Sequence, residues 1–284
     1  MSLSVESEFL NLLKEVGKSK DEDIHLTDAA LAMAALDSPG ISIERYQNHI
    51  AKMIGEVAQR HQALLDEGAE DNAETQLAAL KYVIADVHGY EGDTETYEDL
   101  QNVNLIRVIE RQKGMPVSIA LLYVHIGLEQ GWSIASLNFP AHVVCRIEKG
   151  GQRLLFDPFN KCKILQAADL RQLLKTLVSP QAELAASYYE PAGKRDMLIR
   201  MQNNIKLRQI ESEDYLGAVK TIETMRLIDP DEYRLLLDAG VLYARTNQAL
   251  AAVDALEKYI DLAPSKADQH DALLLLQQIK ESLN

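Results

Sequence analysis

Apolar residues recur at three- and four-residue spacing through the first third of the chain, which predicts helices. Residues 28–37 are Ala-rich with Leu31, Met33 and Leu36, and they stop before the breaker cluster Ser38-Pro39-Gly40. Ile43, Tyr46, Ile50, Met53, Ile54 and Val57 predict a second helix from about residue 42, with Ser42 as its N-cap. Leu77, Leu80, Val83 and Ile84 form one stripe of a third, over 72–87. Residues 88–93 read as a loop and 104–111 as a short helix that ends before Gly114. Pro116, suited to a first helical position, opens a helix through Ile119, Leu122, Tyr123 and Ile126, which Gly131 stops. Strand-like runs follow at 134–139, 142–148 and 153–157, and Gly150-Gly151 predicts a two-residue hairpin turn between the last two.

The last third returns to helix and repeats itself. Pro230 and Pro264 stand 34 residues apart, and Ala218/Ala252, Ile222/Leu256 and Ile228/Leu262 share that offset. This is the tetratricopeptide period. It predicts helical hairpins over about 200–232 and 233–267 and a closing helix over 268–283. Such hairpins cannot bury their apolar faces singly. The chain is therefore expected to divide into a first domain, 1–194, and a helical repeat tail, 195–284.

Composition and charge narrow the function classes. The 284 residues are 47% hydrophobic and 25% charged, with a net charge of −14, which suits a globular chain with a buried core. Residues 1–100 hold 21 acids against 7 bases, whereas 101–194 hold 7 acids against 11 bases. An acidic surface repels phosphate backbones, so no nucleic-acid partner is expected. Glu6, Glu8, Lys14 and Glu15 interrupt the first residues, so no signal-peptide core is read there. No apolar run approaches the roughly 20 residues that span a bilayer. The expectation is a soluble cytoplasmic protein with no membrane association. Cys145 and Cys162, the two cysteines, make neither a disulfide framework nor a CxxC zinc motif.

The hairpin turn allows a geometric inference. With Gly150 and Gly151 as the loop, Lys149 faces Gln152, Glu148 faces Arg153, Arg146 faces Leu155 and Val144 faces Asp157. His142 and Asp157 then share a face as diagonal neighbours, about 7–8 Å apart at the backbone. An Asp holding a His ring is the orienting half of a catalytic triad. The same pair also serves as a satisfied polar network that fixes hairpin packing. The sequence indicates no third ligand for a metal at this pair, and neither metal nor cofactor is predicted. Cys145 falls on the opposite face, paired with Phe156, and reads as a core thiol. Cys162 lies beside Lys161 and Lys163, cations that can lower a thiol pKa. It reads either as a reactive thiol or as a plain surface or packed one.

Three blocks carry a resemblance: Gly114-Met115-Pro116-Val117-Ser118-Ile119-Ala120, Asn138-Phe139-Pro140-Ala141-His142, and Phe156-Asp157-Pro158-Phe159-Asn160. With them the chain resembles the SirB-type family of bacterial proteins over roughly residues 25–265. The resemblance implies an α+β protein: a helical lead-in, a transglutaminase-like (papain-like) core with a small antiparallel sheet, then tetratricopeptide-type helical repeats. In catalytic relatives a Gly-x-Cys-x-x-x-Ala block places the nucleophile at a helix N-terminus. Here Gly114 and Ala120 fit that frame, His142 takes the histidine position, Asp157 takes the acid position, and Pro116 stands where the cysteine would be. Ser118 is the nearby hydroxyl, either a replacement nucleophile or a residue bonding local backbone. The implied function is a non-catalytic regulatory or interaction module, a pseudoenzyme with a protein or peptide partner on the repeats. The alternative is an amide-directed hydrolase or transferase using Ser118 or Cys162 with His142 and Asp157.

Overall fold

The structure is a computed structural model and describes residues 2–38 and 40–282. Pro39 of the breaker cluster and Leu283 of the closing helix lie outside the described residues. The chain forms two compact units, one of Met1–Phe9 with Asp21–Leu198 and one of Leu10–Lys20 with Ile199–Asn284. A division at 194/195 differs from this chiefly in the segment 10–20, which groups with the C-terminal residues. The N-terminal helix α1 (Ser2–Lys18) contains that segment and has no counterpart among the predicted elements.

The first unit is α+β. Its helices are α2 (Leu26–Leu36), α3 (Glu44–Asp66), α4 (Ala73–Lys81), α5 (Leu105–Arg111), α6 (Pro116–Glu129) and α7 (Ala167–Leu177). Ile43, not Ser42, is the N-cap of α3. The Ser42 hydroxyl lies one position earlier and accepts from the Glu44 amide at 3.4 Å. Asn72 caps α4 by accepting from Thr75 N, and Asn104 caps α5 by accepting from Arg107 N, as these residue types do. After α4 the chain winds on as a π-helical turn over Tyr82–Val87.

Helix α6 is buried at every position from Pro116 to Gly127. A helix that is apolar all round belongs at the centre of a core, and here Leu31, Met53, Leu80, Ile84, Leu105 and Phe156 are buried in the same unit. Gly127 presents no side chain where α6 meets the sheet: a Cβ there would stand 2.9 Å from Ile134 Cγ2.

Two sheets complete the unit. Strands β1 (Glu91–Gly92) and β2 (Lys113–Gly114) pair in parallel. Strands β3 (Ser133–Ser136), β4 (Cys145–Lys149), β5 (Gln152–Asp157) and β6 (Lys163–Ile164) form an antiparallel sheet in that order. The hairpin register is the expected one: Lys149 faces Gln152, Glu148 faces Arg153 and Arg146 faces Leu155. Both turn glycines have positive φ, 60° and 82°, as a tight two-residue hairpin requires. The expected strand over 142–148 is shorter than predicted, because residues 142–144 are not in strand.

The second unit stacks α8 (Lys194–Glu211, from Ile199 onward), α9 (Tyr215–Ile228), α10 (Arg234–Arg245), α11 (Ala249–Leu262) and α12 (Lys266–Ser282). The 34-residue offset is structural: Ala218, Ala252, Ile222 and Leu256 are all fully buried in one core. Gly240 lets α10 approach α11, since a Cβ there would stand 2.6 Å from Leu256 Cγ. The repeat breaks at its last pair, where Ile228 is buried but Leu262 is 61% exposed.

Candidate functional site

His142 and Asp157 meet, although by a different route from two aligned strands. Asp157 ends β5, while His142 lies in the loop before β4, preceded by Ala141 in the left-handed region at φ 59°. The His142 Nε2–H donates to Asp157 Oδ2 at 2.8 Å. Asp157 is almost fully buried and organises its own turn. Its Oδ1 accepts from the amides of Phe159 (3.0 Å) and Asn160 (3.3 Å), and its Oδ2 accepts from Asn160 Nδ2 at 2.6 Å. Burial pushes this carboxyl up, but the hydrogen bond from His142, its charge and the Asn160 donors outweigh burial and leave it below the usual carboxylate range.

Aromatic rings pack around this pair. Phe159 meets His142 edge to face at 6.4 Å and Tyr97 at 6.0 Å. The Phe159 ring also lies so close to Gly92 that a Cβ there would stand 2.4 Å from it. The Gly92 amide donates to Phe159 O at 3.2 Å, so β1 and the Asp157 turn hold each other through a contact that glycine alone permits.

Pro116, the residue the resemblance sets where a cysteine would be, lies buried in the first turn of α6. Ser118 is wholly buried, and its Oγ donates to Val103 O at 3.4 Å. Its amide and that of Ile119 both turn to Met115 O. Cys162 is buried too, beside the buried phenol of Tyr123, and burial pushes its thiol up to about 12 against the opposing pull of the Tyr123 hydrogen bond and the Lys81 charge. A thiol so placed stays protonated near neutral pH, the reverse of the thiolate its lysine neighbours suggested. Lys161 instead pairs with Glu91 at 3.0 Å and Lys163 with Asp169 at 2.9 Å. Cys145 is a fully buried core thiol on β4, opposite Phe156.

A polar cluster that was not anticipated supports the start of α6. Asp93, buried, accepts from Thr96 N (2.9 Å), Thr96 Oγ1 (2.7 Å), Glu95 N (3.0 Å) and Arg111 Nη2 (2.7 Å). Burial raises its carboxyl, but these donors together hold it well below the usual range. Arg111 Nη1 also donates to Asn102 Oδ1 at 2.9 Å, and Asn102 O accepts from Met115 N, the residue before Pro116. The sequence predicts Asp93 at the end of a loop and Arg111 at the end of a short helix, and assigns neither a partner. Their mutual contact has no periodic signal.

In the second unit, α8 and α10 border a cleft lined by Leu207, Ile210, Val241, Lys206 and Arg245. Leu207 and Val241 are exposed there. Lys206 pairs with Asp238, and the Arg245 guanidinium lies 5.5 Å from the Tyr215 ring centroid.

Residues 44–203 match the transglutaminase-like superfamily, and residues 205–280 match the tetratricopeptide repeat. The chain is 24% identical over 265 residues to a UPF0162 protein of Xylella fastidiosa, covering 92% of each. It is 24% identical over 251 residues to a UPF0162 protein of Vibrio cholerae, covering 86% of this chain and 90% of that one. Human F-box only protein 21 is 26% identical over 178 residues, 59% of this chain and 27% of that protein. No solved structure matches the chain. Among the described residues no helix is long and apolar enough to cross a membrane.

Proposed function

This chain belongs to the transglutaminase-like superfamily, and we propose that it is a non-catalytic member: a bacterial, cytoplasmic protein that engages a protein or peptide partner through its tetratricopeptide-type unit. The observation that carries this function is Pro116. It fills the position a cysteine nucleophile would take, and proline offers no thiol or hydroxyl to attack an amide. Ser118 and Cys162, the two substitutes within the same unit, are buried and face other protein groups. His142 and Asp157 then act as a polar clamp on the Asp157 turn.

The cleft between α8 and α10 supports the partner half of the proposal, because exposed Leu207 and Val241 give an apolar side chain something to bury against. The intact His142–Asp157 bond favours a second function, an amide-directed hydrolase or transferase using Ser118 or Cys162. The burial of both nucleophiles opposes it.

Paired affinity purifications test the partner. Full-length protein and a Leu207→Glu/Val241→Glu variant of equal thermal stability are used as baits. A specific partner is expected with the first and depleted with the second by about tenfold or more, the effect of replacing apolar hot spots with charge. Identical profiles for the two baits would remove the cleft from the proposal.

A further inference from the structure

Helix α6 carries a second chemical cluster at the end opposite Pro116. His125 lies nine residues on, about 14 Å along the helix axis, and Glu129 is one turn further on the same face. His25, the residue before α2, meets His125 with ring centroids 4.8 Å apart. One ligand atom from each of His25, His125 and Glu129 lies within 4.8 Å of the others.

We propose that His25, His125 and Glu129 bind one divalent transition-metal ion of the zinc class. Two imidazoles and a carboxylate are the donor set such ions take, with a further position left for water. Ligand atoms around a tetrahedral ion at about 2.1 Å lie about 3.4 Å apart, so groups up to 4.8 Å apart must close by up to about 1.4 Å. His25 and Glu129 are exposed, while buried His125 supplies the fixed point.

The surroundings are those of a built metal site. Each ring has one nitrogen already held by an oxygen, as metal-ligating histidines have. His25 Nδ1 bonds Asp28 Oδ2 at 2.9 Å, leaving Nε2. Asp28 is itself steadied by Gln47, whose Nε2 donates to Oδ1 at 2.7 Å. His125 Nε2 bonds Thr27 Oγ1 at 3.1 Å, leaving Nδ1. The residue pairs 25/28 and 27/125 therefore brace both rings from α2. Lys194, the neighbouring cation, is turned to the carbonyls of Glu22 and Ile24 at 2.9 Å each.

The test titrates chelator-treated, untagged full-length protein with Zn²⁺ by calorimetry and with Co²⁺ by visible absorption. One saturable equivalent is expected, with a d–d band for cobalt. His25→Ala and Glu129→Gln, both at exposed positions, should each weaken binding by at least about tenfold with unchanged metal-free melting. His270→Ala, in the other unit, should bind as the parent does. In histidine-labelled NMR spectra of the unsubstituted chain, the His25 and His125 ring signals should move with the first equivalent of Zn²⁺. Absence of saturable binding, unaltered affinity in both variants, or unmoved His25 and His125 rings would each overturn the site.

Discussion

Asp157→Ala is expected to destabilise the transglutaminase-like unit by about 3–5 kcal/mol, the range for dismantling a buried, hydrogen-bonded charge pair. The carboxylate gathers four donors, from His142, Phe159 and Asn160. Its removal leaves them unsatisfied in a buried turn, at about 1–3 kcal/mol for each group that water cannot reach. His142→Ala should cost less, about 1–3 kcal/mol, because Asp157 keeps its backbone and Asn160 donors. Urea unfolding followed by the single tryptophan, Trp132, reads this unit directly.

The pH dependence has a defined sign. Asp157 has a depressed pKa in the folded state. Its contribution is therefore present above the unfolded value of about 3.9 and is lost as pH falls through the folded one. The gap in midpoint between parent and Asp157→Ala should shrink below about pH 4. A gap that stayed constant into acid would mean that the carboxylate charge is not what the turn uses.

Arg111→Ala is the second large loss, again about 3–5 kcal/mol, since it strands the buried Asp93 carboxylate without its cation. The guanidinium forks between Asp93 and Asn102. Arg111→Lys restores charge but not the fork and should recover less than half of the loss. Adding Asp93→Asn to Arg111→Ala should recover more, because the stranded charge is gone. The strain passes through Asn102 O to Met115 N, so the start of α6 should lose amide-exchange protection in Arg111→Ala. Full protection there would separate the Asp93 cluster from the support of Pro116.

Much of this was legible in the amino-acid pattern, for identifiable reasons. The twin glycines set the hairpin register, and with it the opposition of Cys145 to Phe156. The 34-residue offset located both helical hairpins, because buried Ala218, Ala252, Ile222 and Leu256 occupy equivalent core positions. Helices α1 and α7 went unread although both are regular; the other misses are short or non-periodic. Strands β1 and β2 are two residues each, too brief for any alternation to register. His142 reaches Asp157 from a loop bent at Ala141, which strand alternation does not describe. The lysines beside Cys162 are visible in the sequence, but the burial that overrides them is not. His25 and His125 stand a hundred residues apart, and only the one-turn spacing of His125 and Glu129 offered a hint. Asp93 and Arg111 are likewise joined by the fold alone.

The proposal that this chain has no working nucleophile is tested most directly by chemical labelling of the native full-length protein. Iodoacetamide and a fluorophosphonate are applied across neutral pH, and adducts are mapped by mass spectrometry in the parent and in His142→Ala. No adduct is expected at Ser118, and Cys162 should be alkylated only as fast as its unit opens, at a rate that His142→Ala does not lower. Rapid labelling of Ser118 or Cys162 that rises with pH and disappears in His142→Ala would contradict the non-catalytic account.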